Sequence, residues 1–155
     1  MRRPVKKRPA TGPDYRYNST KVEKFINCIM SDGKKDTARK IVYDAFETIK
    51  KKTGNDNPLE VFDKAIKNVS PSMEIRSRRI GGANYTVPRE VRADRKLTLA
   101  IRWIVEAVRA EKGRPTQAKL ADELIAASKE EGTAIQKKIQ MHKQAEANKA
   151  FAHFG

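Results

Sequence analysis

Residues 73–91 read MEIRSRRIGGANYTVPREV, and this stretch decides the fold because it alone carries a strand pattern. Met73, Ile75 and Ser77 alternate with Glu74, Arg76 and Arg78. Beyond Gly81-Gly82, Tyr85, Val87 and Val91 alternate with Thr86, Pro88 and Glu90. Period-two alternation on both sides of a glycine pair predicts a β-hairpin. Parity then narrows the loop. If Met73 and Ile75 share a face with Tyr85, Val87 and Val91, the loop holds an odd number of residues, and three, Gly81 to Ala83, is the simplest choice. One face then carries Met73, Ile75, Val87 and Val91 toward a core. The other carries Arg76 and Arg78, with Arg79 beside the tip. An isolated two-stranded hairpin is marginal in water, so this one needs helices beneath it or a partner above it, and its arginines point to an anionic partner.

On the N-terminal side of the hairpin the punctuation is helical. Asn57-Pro58 is an N-cap and N1 pair with Glu60 at N3, and Val61, Phe62, Ala65, Ile66 and Val69 follow at helical spacing until Ser70-Pro71. Asp36 is placed to cap an earlier helix carrying Ile41, Val42, Ala45, Phe46 and Ile49 as far as Thr53-Gly54. Thr20 and Glu23 form a capping box for the first helix, whose apolar face is Val22, Phe25, Ile26, Ile29 and Met30 and which ends at Asp32-Gly33. Lys34-Lys35 lies in a short basic turn. Residues 1–17 form a basic, Pro-containing arm with Arg2, Arg3, Lys6, Lys7 and Arg8 and no core-forming face. Such a segment is expected to be flexible when free and to order against phosphates, a solubilising tail being the plainer alternative.

On the C-terminal side, Asp94 is expected to cap a long helix to about Glu111. At about 100° per residue, Leu97, Ile101, Ile104 and Val108 share a narrow sector. Arg95, Arg102 and Arg109 recur every seven residues on the other side, drifting only about 20° per step. Arg92 and Lys96 add charge at the helix start. Leu99 interrupts the stripe, Trp103 lies beside it, and Glu106 is its main acid. Gly113-Arg114-Pro115 breaks the chain. Thr116 then caps a fifth helix with Leu120, Leu124 and Ile125 inward, and a sixth runs from Thr133 to about Ala150. The later part of the sixth is polar and Ala-rich, an extension that a neighbour would hold. The fold class is therefore mainly α. It is a single domain of about six helices with one protruding hairpin between the third and fourth, residues 18–155 forming the domain behind the arm.

Composition excludes several functions. Lys plus Arg number 34 and Asp plus Glu 19 in 155 residues, a net charge of +15. A sequence pI near 10.1 makes nucleic acid the default partner and an anionic membrane surface the competitor. No apolar run approaches the roughly 20 residues of a membrane span, and no apolar segment follows the basic start as a secretory signal requires. Cys28 is the only cysteine, which excludes an internal disulfide and fits a reducing compartment. His142 and His153 are the only histidines and lack cysteine partners, so neither a metal site nor a cofactor is expected. Gly33-Lys34-Lys35 lacks the upstream Gly and following Ser or Thr of a phosphate loop, and no carboxylate pair stands out for acid–base work.

Three segments carry a resemblance. KVEKFINCIMSDGKKDTARKIVYDAF (21–46), SRRIGGANYTVPREVR (77–92) and AEANKAFAHF (145–154) closely resemble bacterial small-subunit ribosomal protein seven, and the likeness runs from about Tyr15 onward. It implies a cytoplasmic, ribosome-bound protein of six helices and one hairpin. It implies a primary binder of small-subunit ribosomal RNA that nucleates assembly of the subunit head. It further implies a place at the subunit interface near the exit-site transfer RNA, with the ninth and eleventh small-subunit proteins as neighbours. By the same resemblance the arm, the turn at Lys34-Lys35, the hairpin arginines and the basic face of the fourth helix meet ribosomal RNA. The hairpin tip, Gly81, Gly82, Ala83, Asn84 and Tyr85, approaches transfer RNA. A helical DNA-binding regulator is the alternative from another class, although its basic residues would concentrate on one recognition helix. An RNA-modifying enzyme lacks a cofactor loop or a catalytic cluster.

Overall fold

The computed structural model describes residues 11–154, excluding the side chain of Phe154. Its elements are α1 (Thr20–Ile29), α2 (Lys35–Thr53), α3 (Pro58–Val69), β1 (Met73–Ile80), β2 (Ala83–Glu90), α4 (Ala93–Ala110), α5 (Thr116–Ser128), α6 (Thr133–Ala147) and a 3-10 turn at Lys149–Phe154. This is the expected mainly α architecture with one hairpin between the third and fourth helices. Two compact units, residues 1–40 and 41–155, divide within α2.

In the first unit, order begins before α1. Asp14 is buried, and its Oδ2 accepts from the N–H groups of Arg16 at 3.1 Å and Tyr17 at 3.0 Å. Its own N–H donates to the Ser19 carbonyl. An aspartate turn of this kind satisfies backbone groups that would otherwise need water. Residues 14–19, at the end of the basic N-terminal stretch and the start of α1, are thus joined by backbone and side-chain hydrogen bonds. The capping box does not form. Ser19 is the N-cap and makes no side-chain cap bond, while Glu23 is buried and accepts from Lys35 Nζ. Asp36 sits within the first turn of α2, where it receives Arg39 Nη1 at 2.9 Å.

In the second unit, Phe46, Ile49, Phe62, Val69, Ile101, Ile104, Leu120 and Leu124 are fully buried or nearly so. Helix α3 packs on α4, α5 and α6, and α4 packs on α5 and α6. Each such side chain contributes about 1.5–3 kcal/mol through lost apolar hydration. The buried face of α4 is wider than its apolar sector predicts, because Leu99, Trp103 and Val105 are buried too, while Leu97 is only half-buried. Helix ends in this unit are closed by side chains from other elements. Asn57 Oδ1 accepts from the N–H of Leu59 at 3.2 Å, as its position before Pro58 predicts. Asn68 Nδ2 donates to the carbonyls of Ala127 and Ser128 at the end of α5, and Lys138 Nζ donates to the Asn68 carbonyl at the end of α3. Neither α4 nor α5 uses the expected cap: Arg92 and Pro115 occupy the N-cap positions, and Asp94 and Thr116 lie inside the first turns.

At the start of α6, Glu123 Oε1 accepts from the N–H of Ala134 at 2.8 Å. Gly132 precedes it with φ of 97°, and a Cβ there would stand 3.1 Å from that same oxygen. Gly132→Ala is therefore expected to destabilise the fold by about 1–3 kcal/mol. A urea midpoint equal to wild type would show that this junction relaxes freely.

The hairpin corrects the parity reading. Ile80 pairs with Ala83, so the loop is two residues, Gly81-Gly82, not three. Their φ angles are 55° and 92°, and a type I′ turn needs positive φ at both central positions, which glycine accepts without steric penalty and which matches the strand twist. The register moves accordingly. Ile75 faces Pro88, and Arg76 faces Val87. Met73 and Ile75 are only half-buried, whereas Glu74 and Val87, on the arginine face, are buried. The C-terminal segment also differs from expectation. Helix α6 stops at Ala147, and the 3-10 turn lies on β2 of the same chain, with the Phe151 ring 5.4 Å from that of Tyr85.

Candidate nucleic-acid interface

The register sets a row of guanidinium groups over a buried acid. Glu74, Arg76 and Arg78 alternate onto one face of β1, and Arg89 lies directly opposite Glu74 on β2. The start of α4 adds Arg92 and Arg95. Glu74 Oε1 accepts from Arg76 Nε at 2.9 Å and Nη2 at 2.8 Å, and Glu74 Oε2 accepts from Arg95 Nε at 3.1 Å. The carboxylate thereby ties the hairpin to α4 through charge-assisted bonds, the stronger class of hydrogen bond. Around it lies a cavity of about 210 Å3 lined by Glu74, Arg76, Arg89, Glu90, Arg92 and Arg95. Four arginines against two glutamates leave it positive. A second cavity of about 350 Å3 shares Arg76 and Arg89 and adds Ser77, Arg78 and Val87.

The expected site residues divide. Arg76, Arg92 and Arg95 come together, and Arg78 stands one alternation further along the same strand face. Arg79 is exposed on the opposite face, and Arg102 and Arg109 are exposed further along α4, while Lys96 is half-buried in its first turn. Lys34 is exposed, but Lys35 is already committed to Glu23. Gly81, Gly82, Ala83 and Asn84 form an exposed tip, whereas Tyr85 is half-buried against Phe151. Arg2, Arg3, Lys6, Lys7 and Arg8 lie outside the described residues. Sequence reasoning missed Glu74 and Arg89. Only the two-residue loop, which sets them opposite each other, would have revealed them.

The base of the hairpin is fixed to α6 by a histidine. The N–H of Ser72 donates to His142 Nε2 at 3.1 Å, so that nitrogen is unprotonated in this arrangement. Burial, and then the positive charge of Lys138, hold the His142 pKa below its ordinary 6.5. The unfolded chain therefore binds the proton more readily than the folded one. This contribution to stability is complete above the ordinary histidine pKa and is lost as pH falls through the lowered folded value. His142→Gln is expected to flatten the decline of the urea midpoint between about pH 7.5 and 5. An unchanged pH profile would remove His142 from this role.

Among the described residues no group of His, Cys, Asp and Glu is placed to hold a metal ion, and no helix is long and apolar enough to cross a membrane. The family model for ribosomal protein S7p/S5e matches residues 1–149. Small ribosomal subunit protein uS7 of Thermotoga petrophila is 58% identical over 142 residues, covering 92% of this chain and 91% of its own length. That of Moorella thermoacetica is 56% identical over 147 residues, covering 95% and 94%. The Salinibacter ruber protein is 51% identical over 144 residues, covering 93% and 92%. With a family model spanning nearly the whole chain and relatives above half identity across it, this chain belongs to the ribosomal protein S7p/S5e family.

Proposed function

We propose that the face formed by β1, β2 and the start of α4 is a principal contact with small-subunit ribosomal RNA, and that through it the protein acts as a primary binder nucleating assembly of the subunit head. As a family member the chain is a structural constituent of the small ribosomal subunit and not an enzyme. The observation that carries the reading is the convergence of Arg76, Arg89, Arg92 and Arg95, from three elements, around the single buried Glu74. Its action is electrostatic and steric. Phosphate contacts release counterions and supply affinity, and the shape of a folded junction supplies specificity, because an A-form major groove is too narrow for side chains to read. The arm at residues 1–17 adds phosphate contacts in this reading, and residues 18–155 form the binding domain. The exposed glycine tip is the part that reaches exit-site transfer RNA at the subunit interface, with the ninth and eleventh small-subunit proteins as neighbours in a cytoplasmic ribosome. These last assignments rest on the family.

Two exposed positions test the reading without touching the core. Arg78→Glu combined with Arg102→Glu should leave the thermal midpoint near wild type and weaken binding to a head-domain ribosomal RNA transcript. Two lost phosphate contacts should make the salt slope shallower by about 1.4–1.8 units. In reconstituted subunits this variant should lower particle yield. A hairpin shortened by its last pair, with Ile80 and Ala83 deleted so that Gly81-Gly82 joins Arg79 to Asn84, should assemble normally and release exit-site transfer RNA faster. Unchanged affinity and slope in the charge-reversal variant would assign this face to solvent or to a protein neighbour.

A further inference from the structure

We propose that Glu74 is a positioning residue of the RNA face, a carboxylate that does not itself touch the nucleic acid but holds Arg76 and Arg95 as one preformed clamp for a backbone phosphate. The inference rests on the proposed function and gives a role to a residue whose charge argues against it. A carboxylate beside phosphates repels them, so a binding face gains nothing from it by charge alone.

Its surroundings supply the reason. The Glu74 side chain is 7% exposed, against 56% for Arg76 and 41% for Arg95. The acid is therefore screened from solvent while both guanidinium groups reach it. The hydrogen bonds are distributed in a way that leaves donors for a ligand. Glu74 takes Nε and Nη2 of Arg76 and only Nε of Arg95. A guanidinium carries five N–H donors in one plane. Binding along the Nε edge leaves the Nη1 groups of both arginines, and Nη2 of Arg95, for a phosphate oxygen. The two arginines come from different elements, and the pairing spans 21 residues from Glu74 to Arg95. One carboxylate thus sets the spacing of two cations that the chain otherwise holds apart. Long cationic side chains lose rotamer freedom when a ligand fixes them, and groups fixed in advance lose less on binding. Such a clamp favours an RNA whose phosphates match its spacing over one that merely carries charge.

Glu74→Gln separates positioning from charge because the two predict opposite signs. The substitution keeps the shape and raises the net charge by one. Charge alone predicts tighter binding to every RNA. Positioning predicts about tenfold weaker binding to a folded head-domain ribosomal RNA transcript, the loss of one charge-assisted hydrogen bond, with equal or tighter binding to poly(U). In an Arg76→Gln, Arg95→Gln background, adding Glu74→Gln should change transcript affinity no further, since its partners are gone. Wild-type protein provides a measurement that needs no variant to fold. In the RNA-free state, 15N relaxation should find the Arg76 and Arg95 Nε–H groups more rigid than those of Arg79 and Arg102. If wild-type protein binds the transcript no better than poly(U), the RNA-face reading itself falls. If it prefers the transcript while Glu74→Gln binds it equally or more tightly, or if the Arg76 and Arg95 groups are as mobile as Arg102, the clamp is wrong and the face stands without it.

Discussion

Arg95→Glu is expected to damage both the fold and the RNA face, whereas Arg102→Glu, the same charge change two turns along the same helix, damages only the face. Arg95 supplies one of the two guanidinium groups that accompany the buried Glu74. Its reversal removes a bond to a buried carboxylate and sets a like charge beside it. Arg76 still pairs with Glu74 and Arg95 is 41% exposed, so the cost stays in the range of about 1–3 kcal/mol given for a buried group losing its partner. A chain of this size loses about 2–4 °C of thermal midpoint per kcal/mol. Arg102 is exposed, and surface changes of that kind stay within about 0.5 kcal/mol. Both variants should bind the head-domain transcript at least about tenfold more weakly, because each loses a cation and gains an anion facing phosphates. Equal thermal midpoints for the two variants would mean that the Glu74 bridge does not hold the hairpin to α4.

The largest loss of stability is expected from Phe62→Ala. Phe62 is fully buried on α3, and its ring lies 5.6 Å from that of Phe46 at an interplanar angle of 59°. This tilted geometry is a favoured one for aromatic pairs. Truncation removes the transfer free energy of the ring and leaves a cavity between packed helices, together about 3–5 kcal/mol. The thermal midpoint should fall by about 6–20 °C on the same scaling. Calorimetry would register it, and RNA affinity measured well below the new midpoint should be nearly unchanged. A loss under about 1 kcal/mol would show that α3 and its neighbours collapse to fill the space.

The helices were legible because their signals are local. Asn57-Pro58 starts α3 where its cap bond is found, and Thr53-Gly54 ends α2. Apolar spacing identified Phe46, Phe62, Ile101 and Leu124, all of which are buried. The hairpin was legible as an element and not as a register. Parity marks the buried face by its apolar residues, yet the buried position at the base of β1 is a glutamate, bonded to arginines. Hydrophobic pattern does not register a strand whose inward residue is charged and paired, and the partner Arg95 lies 21 residues downstream. The same limit explains Glu23 and Lys35. One looked like half of a capping box and the other like an open cation, but they satisfy each other. Of the candidate site, the charge pattern picked out Arg76, Arg92 and Arg95 and missed Arg89 and the buried Glu74 among them.

Two bonds described above, from Ser72 to His142 and from Lys138 to Asn68, each join positions 70 residues apart. They impose an order on the making of the protein. At about 5–20 residues per second, the segment before β1 leaves the synthesis machinery roughly 4–14 s before its α6 anchors exist. Through the later part of that interval the hairpin is complete but lacks its α6 anchors, with the bond from Arg95 to Glu74 as its tie to α4, and a two-stranded ribbon is marginal by itself. A growing chain therefore carries both strands of the hairpin, and the Arg95 that ties them to α4, before the α6 anchors exist. The seat of the hairpin on α6 is complete only when His142 has been added.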